Sequence, residues 1–355
     1  MEKINVAVIF GGCSSEYKVS LESACGVILN LNRDKYEPVL IGITREGEWF
    51  YFTGDVDEIK NDTWFTGKNC MRAILSPDRK AHKLLVFHKE DGVDTVPVDV
   101  AFPVLHGKWG EDGTVQGLIE LAGIPLAGCG VLSSALCMDK DRAHKLVEAA
   151  GVCVPKARVF GMQAKITEGG REIKDFAKET GYPLFVKPVK AGSSFGVTKV
   201  GEAACLKEAV ELAFLYDDQI IVEENIDGFE VGCAVLGKET LTVGEVDEIE
   251  LSGGFFDFTE KYTLKTSAIH VPARISAQKA KELKETAKVI YRTLGCAGFA
   301  RVDMFLTPEG KIVFNEVNTI PGFTEHSRYP GMMKAAGYSF GEILEKIITL
   351  ALEGI

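Results

Sequence analysis

Two adjacent segments near the carboxyl-terminal end carry charged and amide side chains at alternate positions. Residues 299–305 and 311–317 are rich in β-branched and aromatic residues, and the turn-forming stretch 307–310 lies between them. This pattern predicts two strands of a hairpin. If Thr307 lies opposite Gly310, then we expect Arg301 to lie opposite Glu316 and Asp303 to lie opposite Phe314.

Alternation along such a hairpin places four polar side chains on one face of the sheet, namely Arg301, Asp303, Glu316 and Asn318. Carboxylates buried without a partner are costly. Oxygen ligands of this kind suit Mg²⁺, which commonly bridges a few carboxylates to nucleotide phosphates. The alternative is a solvated face with surface ion pairs. The flanking apolar residues argue against full exposure, so we favour a magnesium site.

Composition limits the class of protein. The 355 residues suggest two or three domains, and 46% hydrophobic with 26% charged residues is typical of a soluble globular protein. A net charge of −11 argues against a nucleic-acid partner. No apolar run approaches the roughly 20 residues that cross a membrane. Nine cysteines without a CxxC pair fit a reducing cytoplasm.

The first 128 residues predict an open α/β layer. An apolar run over 4–10 ends in two glycines and is typical of a buried parallel strand. A helix is expected over 20–31 with Ser20 as its N-cap, followed by strands at 39–44 and 98–105. Residues 45–95 are polar and mixed, which indicates a hairpin and surface loops.

Two further zones follow. The second is expected to hold helices at 138–147 and 202–216 and strands at 183–188 and 219–223. The third is expected to hold strands near 230–236 and 241–249, a loop at 252–266, a helix at 276–294, the 299–317 hairpin and one terminal helix.

A Gly/Ser loop follows the strand that carries Lys187. Small residues at Gly192, Ser193, Ser194 and Gly196 let backbone N–H groups approach phosphate oxygens. The loop lacks the GxxxxGK[ST] pattern of a Walker loop. Alone it would more often be a plain turn. With Lys187 before it and the carboxylates downstream, we interpret it as a phosphate-binding loop.

Three other segments carry candidate binding residues. A strand end that can bind an adenine and a ribose is flanked by Glu223, Glu224 and Glu230. The alternative is that these glutamates are ordinary surface charges. Glu16 follows the first strand, where α/β ligands tend to sit, and can hold an ammonium or simply complement a helix dipole. His106 is either a ligand or a structural histidine whose ring nitrogens are both bonded within the protein.

Together these motifs resemble the ATP-grasp superfamily, and specifically the D-alanine–D-alanine ligase family, over essentially the whole chain. The resemblance implies a three-domain α/β ATP-grasp fold. An N-terminal α/β substrate domain with an open parallel sheet is expected at 1–128, a central ATP-grasp subdomain at 129–226 and a C-terminal catalytic ATP-grasp subdomain at 227–355. The matching segments are Gly11-Gly-x-Ser-x-Glu16, His106-Gly-x-x-Gly-Glu-Asp-Gly113, Met138-Asp-Lys140, Lys187-Pro, Gly192-Ser-Ser194, Glu223 with Glu230, Arg301-x-Asp303, Glu316-x-Asn318 and Pro321-Gly322-Phe-Thr-x-His-Ser327.

The resemblance also implies roles for these residues. Arg301 and the Gly322 N–H would stabilise the oxyanion of a tetrahedral intermediate. Asp303, Glu316 and Asn318 would hold two Mg²⁺, with Mn²⁺ as a substitute. ATP would contact Lys140, Lys187, Ser194, Glu223, Glu224, Glu230 and Lys261, and the amino-acid substrates would contact Glu16, His106, Ser193, Tyr262, Ser327 and Arg328.

Residues 252–266 resemble the family's closing loop, which would keep water from an acyl phosphate. Its Lys261-Tyr262 pair is similar to that of ligases with an amine nucleophile, whereas ester-forming relatives that use D-lactate carry a histidine nearby. Arg328 stands where housekeeping ligases usually have Leu or Met. An arginine at this position resembles the pattern of the glycopeptide-resistance ligases. Arg328 could instead merely pair with a carboxylate at the domain surface.

The combination looks most like the D-alanine–D-serine ligases of inducible vancomycin resistance, which are cytoplasmic enzymes of peptidoglycan precursor synthesis. The expected partners are ATP, D-alanine, D-serine and a second copy of the chain, with no membrane or nucleic acid. A plain D-alanine–D-alanine ligase and a nucleotide-binding sensor without turnover are the alternatives. The intact Arg301, Asp303, Glu316 and Asn318 argue against the sensor.

Overall fold

The structure is a computed structural model that describes residues 3–88, 92–166, 170–192, 194–251 and 267–354. Ser193, Lys261, Tyr262 and the predicted closing loop lie outside the described residues, so their roles stay predictions. Within the described ranges, the helices are all too short or too polar to cross a membrane.

The first sheet begins with the predicted parallel layer. The apolar run of β1 lies between β2 and β7, both parallel to it, which explains why β1 is buried almost throughout. Seven strands lie in the order β6-β5-β4-β3-β2-β1-β7: β1 Ile4–Gly11, β2 Tyr36–Ile43, β3 Trp49–Phe52, β4 Cys70–Leu75, β5 Lys83–Phe87, β6 Val93–Pro97 and β7 Val100–Val104.

Two predictions for this layer need correction. Residues 45–95 form more than a hairpin, because strands β3 to β6 extend the sheet in antiparallel order. Ser20 is not an N-cap, since helix Tyr17–Asn30 begins after Glu16. The buried Ser20 hydroxyl instead accepts a hydrogen bond from Gly11 N–H at 2.8 Å. The helices of this part of the chain are Tyr17–Asn30, Val56–Lys60 and Thr114–Leu121.

The second sheet has four antiparallel strands in the order β10-β9-β11-β8. The predicted helix over 138–147 is divided at Asp139, whose carboxylate accepts from Arg142 N–H at 3.0 Å and so begins a new helix. The elements are β8 Ala157–Gly161, β9 Leu184–Pro188, β10 Thr198–Val200 and β11 Gln219–Glu224, with helices Val131–Met138, Lys140–Ala149, Met162–Ile166, Arg171–Thr180 and Leu206–Ala213.

The third sheet is built around β12, which pairs with three antiparallel neighbours. The predicted strand 241–249 is two strands, and the predicted terminal helix is two helices. The elements are β12 Phe229–Gly237, β13 Leu241–Val243, β14 Asp247–Leu251, β15 Ser267–His270, β16 Gly298–Leu306 and β17 Ile312–Asn318, with helices Ala277–Thr293, Arg328–Ala335 and Phe340–Glu353.

The turn of the β16–β17 hairpin is one residue longer than predicted. Thr307 N–H donates to Lys311 O at 3.0 Å, and Gly310 N–H donates back to Thr307 O at 2.9 Å. Thr307 therefore lies opposite Lys311 rather than Gly310. A shift of one residue would, by itself, move the polar side chains of β17 to the other face of the sheet.

A bulge further along the hairpin restores the predicted face. The register shifts between Asp303 and Met304, so that Asn315 is the extra residue and Asp303 lies opposite Glu316. Arg301 lies opposite Asn318, not Glu316 as predicted. Because the two one-residue shifts add to an even number, the placement of these four polar side chains on one face is confirmed although the register was wrong.

One aromatic cluster joins the first and third sheets. Phe102 of β7 lies 5.8 Å from Phe299 of β16, and Phe323 lies 5.2 Å from Phe299, measured between ring centroids. Tyr329 packs against Phe323 at 5.4 Å. This buried contact sets the distance between the loops after β1 and β7 and the segment that follows β17. The boundaries between the three domains stay a prediction.

Candidate active site

A cavity of about 390 Å³ lies between the second and third sheets. Strands β9 and β11 supply one wall, and β12, β14, β16 and β17 supply the other. Seven of the predicted nucleotide and metal residues line it: Lys140, Lys187, Ser194, Glu223, Glu224, Glu230 and Glu316. The sequence pattern therefore identified residues that the fold brings to a single pocket from distant parts of the chain.

Glu223 is a buried carboxylate with one oxygen still able to accept. Its Oε2 lies 2.5 Å from the Lys187 ammonium. Burial raises the pKa of Glu223, but Lys187 and His144 outweigh it and the pKa is lowered. Within the described residues, Oε1 has no hydrogen-bond partner and lies 3.8 Å from His144 Nδ1. Such an orphaned acceptor fits an N–H donor on a ligand, as an adenine amino group would supply.

The Gly/Ser connection between β9 and β10 is confirmed as a tight loop. Ser194 and Gly196 both have positive φ, at 59° and 68°. Lys140 Nζ donates to Ala191 O at 2.7 Å, so the lysine is held against this loop. A Cβ added at Gly192 would lie 2.8 Å from Glu16 Oε2. The loop therefore reaches from the nucleotide cavity to the predicted ammonium site.

The polar face of the hairpin forms a compact ionic group. Asp303 is 1% exposed. Arg301 Nη2 donates to Asp303 Oδ2 at 2.7 Å, and Asn318 Nδ2 donates to the same oxygen at 2.9 Å. Within the described chain, groups of three or more His, Cys, Asp or Glu suitable for a metal do not occur. Two carboxylates and an amide suit Mg²⁺, which takes its remaining oxygens from phosphates and water.

Arg328 is buried rather than at a domain surface, which corrects the surface-pair alternative. Its Nε and Nη2 donate to both oxygens of Asp247, at 2.7 and 2.8 Å. Its Nη1 donates to Glu230 at 2.9 Å, and Nη2 lies 3.3 Å from Asp303. Burial opposes the charge, but these carboxylates raise the pKa of Arg328 well above its usual value. Arg328 thus connects the predicted ribose and metal ligands.

Glu16 and Glu111 lie near each other below the Gly/Ser loop, and both are buried. Burial and the neighbouring Glu16 charge raise the pKa of Glu111 to about 8. Glu111 Oε2 accepts from Gly107 N–H at 2.9 Å. Glu111 is therefore mostly protonated near pH 7, and the attraction of an ammonium substrate stays assigned to Glu16 alone.

His106 is a structural histidine with both ring nitrogens bonded. Nδ1 lies 2.8 Å from Ile320 O and Nε2 lies 3.1 Å from Ser23 Oγ. Burial lowers the pKa of His106 to about 4, so the ring is neutral near pH 7. Of the two alternatives from the sequence, the geometry favours the structural one, because direct substrate contact would displace one of these bonds.

Sequence reasoning did not single out some residues that belong to the site. His144 lies four positions after Lys140 and therefore one helical turn along the same face, which is a signal that could have found it. Asp247 gives no such signal, since it reaches Arg328 only through the pairing of β14 with β12.

A nucleotide-sized cavity between two antiparallel sheets, with lysines at one side and carboxylates at its end, defines the ATP-grasp class. Comparison with known proteins gives the same class and a narrower family. Two family models match, "D-ala D-ala ligase N-terminus" over residues 5–129 and "D-ala D-ala ligase C-terminus" over residues 146–349. The chain belongs to the D-alanine–D-alanine ligase family.

Individual relatives cover essentially the full chain. VanA of Enterococcus faecium, a vancomycin/teicoplanin A-type resistance protein, is 47% identical, with 100% of both chains covered. A D-alanine–D-alanine ligase of Caldicellulosiruptor bescii is 42% identical, with 99% of this chain and 96% of that one covered. The crystal structure of the VanG D-Ala:D-Ser ligase from Enterococcus faecalis matches with a TM-score of 0.90 and 56% identity, covering 99% and 100%.

The lowered pKa of His106 predicts a specific acid sensitivity. The unfolded ring binds a proton below about pH 6.5, whereas the folded ring resists it to about 4. The stability gained from a neutral ring is present above pH 6.5 and is lost as the pH falls toward 4, by roughly 2–3 kcal/mol at pH 4.5. Urea unfolding at pH 7 and 4.5 measures this loss. The loss of unfolding free energy between these two pH values should be smaller by roughly 2–3 kcal/mol in His106→Gln. It should be the same as in the unmodified protein in His88→Gln, which changes an exposed histidine.

Proposed function

We propose that the protein is an ATP-dependent, ADP-forming ligase that joins D-alanine to D-serine through a D-alanyl phosphate. Its product would enter peptidoglycan precursors and confer glycopeptide resistance. The observation that carries the proposal is the one-face group of Arg301, Asp303, Glu316 and Asn318, of which Glu316 lines a nucleotide-sized cavity. The alternative is a housekeeping D-alanine–D-alanine ligase.

The cavity walls suit the parts of ATP. Lys140, Lys187 and the backbone around Ser194 would neutralise the phosphates. Glu223 would accept from the adenine amino group through its orphaned Oε1, and Glu224 would line the base. Glu230 would accept from the ribose hydroxyls, and Lys261 would approach the phosphates from the closing loop.

Asp303, Glu316 and Asn318 would hold two Mg²⁺, with Mn²⁺ as a substitute. The bound metal supplies positive charge that offsets the γ-phosphate during transfer. The arrangement fits this role because Asp303 and Glu316 lie opposite each other on paired strands and Glu316 lines the cavity. Arg301 already neutralises part of the local negative charge.

The amino-acid end of the site would lie between the first and third sheets. Glu16 would bind the ammonium of D-alanine, beside Ser193 and Tyr262. A carboxylate oxygen of D-alanine attacks the γ-phosphorus, and ADP leaves. The neutral acceptor amine then attacks the acyl carbon, and Arg301 and Gly322 N–H hold the oxyanion. The carbon–oxygen bond to phosphate breaks, phosphate leaves with that oxygen, and the nitrogen loses a proton to solvent. Ser327, at the start of helix Arg328–Ala335, would bind the acceptor carboxylate.

D-Serine as acceptor is supported by three features. Lys261-Tyr262 resembles the amine-type loop, Arg328 departs from the housekeeping pattern, and a similar structure is that of a D-Ala:D-Ser ligase. Arg328 follows Ser327 directly, and its guanidinium lies 3.3 Å from Asp303 and bonds Asp247 and Glu230, so an effect on acceptor choice would act through the position of Ser327. The cytoplasmic location, the homodimer and a substrate contact by His106 stay predictions.

A competition assay tests the acceptor. With equimolar D-alanine and D-serine and saturating ATP and Mg²⁺ near pH 7, we expect mainly D-alanyl-D-serine, read by mass spectrometry. D-Lactate should react poorly. Mainly D-alanyl-D-alanine would overturn the D-serine assignment and leave the ligase assignment intact, whereas ATP binding without any dipeptide would favour a sensor.

The metal role is tested by Glu316→Gln. The change removes one charge and one ligand while keeping the shape, so we expect normal folding and at least about a hundredfold loss of kcat, partly recovered at high Mg²⁺. Glu309→Gln, in the exposed turn of the same hairpin, is the matched control and should keep full activity. Unchanged turnover of the Glu316 variant at limiting Mg²⁺ would remove this residue from the metal site.

Arg328 is tested best by a charge-preserving change. Arg328→Leu or Met should move preference toward D-alanine, but it also leaves Asp247 buried without a partner, which costs about 3–5 kcal/mol. Arg328→Lys keeps the charge and loses the two-pronged bond. We expect the D-serine to D-alanine ratio of kcat/KM to fall about ten- to a hundredfold. Arg72→Lys, a surface pair, is the control, and an unaltered ratio in Arg328→Lys would exclude Arg328 from acceptor choice.

A further inference from the structure

Three side chains of the first sheet's layer bond the backbone of residues 320–323. Ser23, on helix Tyr17–Asn30, accepts from Phe323 N–H at 3.1 Å. Glu111 Oε1 accepts from Ile320 N–H at 2.9 Å. His106 Nδ1 lies 2.8 Å from Ile320 O. We call Ser23, His106 and Glu111 the backbone clamp. All three are buried and come from two separate elements.

The hydrogen positions in the clamp follow from its geometry. Ile320 O can only accept, so His106 Nδ1 carries the hydrogen. The ring is neutral, and therefore Nε2 is an acceptor. Ser23 must donate its hydroxyl hydrogen to Nε2 and can then accept from Phe323 N–H. Each donor in this series of hydrogen bonds has one acceptor, so only one placement of the hydrogen atoms satisfies all of them.

The clamp accounts for the N–H groups around Gly322 but not for that of Gly322 itself. Ile320 donates to Glu111, Pro321 has no N–H, and Phe323 donates to Ser23. Among the residues that the structure describes, Gly322 N–H has no hydrogen-bond acceptor. Hydrogen bonds at Ile320 and Phe323 therefore hold the backbone on both sides of the Gly322 N–H, which has no acceptor among the described residues.

Aromatic packing also holds residues 320–323 in place. The Phe323 ring lies among Phe102, Phe299 and Tyr329 and is 1% exposed. A Cβ at Gly322 would approach Ser327 Oγ to 2.9 Å, so the backbone runs close to the proposed carboxylate site. Rotation of this segment would break both a buried bond and an aromatic contact.

We propose that Ser23, His106 and Glu111 are positioning residues that aim the Gly322 N–H at the reacting carbonyl. The inference rests on the proposed function, in which Gly322 stabilises the oxyanion. It adds that the donor is oriented by the first sheet's layer although it belongs to the segment after β17. Catalysis therefore depends on the docking of these two parts of the chain.

Two mild substitutions test the clamp. Ser23→Ala removes the acceptor of Phe323 N–H, and Glu111→Gln offers a single carbonyl oxygen to two N–H donors. We expect each to lower kcat about tenfold or more, because a misdirected oxyanion donor loses part of its effect. KM for ATP and for D-alanine should change less than about twofold. Ser134→Ala is the matched control, a buried serine bonded to a backbone carbonyl elsewhere.

A second measurement separates positioning from simple loss of stability. A phosphinate isostere of the dipeptide carries a tetrahedral oxyanion, so its affinity should fall by the same factor as kcat while ADP affinity stays constant. Equal losses for ADP and the phosphinate, or a lowered Tm with kcat unchanged, would overturn the clamp. If the unmodified protein makes no dipeptide at all, the proposed function fails instead, and the two failures are distinct.

Discussion

The buried charge of Asp303 is the constraint on which the rest of the site depends. A carboxylate in a low-dielectric interior must be paired and hydrogen-bonded. Arg301 supplies the pairing from two residues away on the same strand, and Asn318 supplies a hydrogen bond from the opposing strand. The Arg328 guanidinium, at the start of the next helix, lies near Asp303. It also forms ion pairs with Asp247 and Glu230. The proposed metal and nucleotide ends of the cavity therefore share one ionic network.

The hairpin shows what a sequence can and cannot predict. Strand identity and the common face follow from alternation, and both are confirmed. The register was wrong because a three-residue turn and an extra Asn315 have no distinctive local pattern. The two one-residue shifts in register add to two, so the four polar side chains remain on one face of the sheet although the predicted pairing was wrong. Burial of Val302, Met304 and Phe314 on the opposite face explains why the protein keeps that parity.

Arg328 and His106 show a different limit. The sequence indicates that both are unusual in position or context, but it does not show which groups they face. Arg328 is surrounded by carboxylates from strands β12, β14 and β16, a set that only the assembled sheet brings together. His106 contacts a backbone carbonyl 214 residues later in the chain. Motif spacing identifies the pocket well, and long-range packing decides what each residue does there.

In the proposed ligase reaction, one carboxylate oxygen of D-alanine leaves the substrate as an oxygen of inorganic phosphate. Turnover of D-alanine labelled with ¹⁸O in both carboxylate oxygens measures this directly. In the proposed reaction one labelled oxygen bridges carbon and phosphorus and departs with phosphate. We expect one ¹⁸O atom in each phosphate released and one remaining in the peptide bond carbonyl. Dipeptide formation with unlabelled phosphate, or with AMP and labelled AMP phosphate, would contradict it.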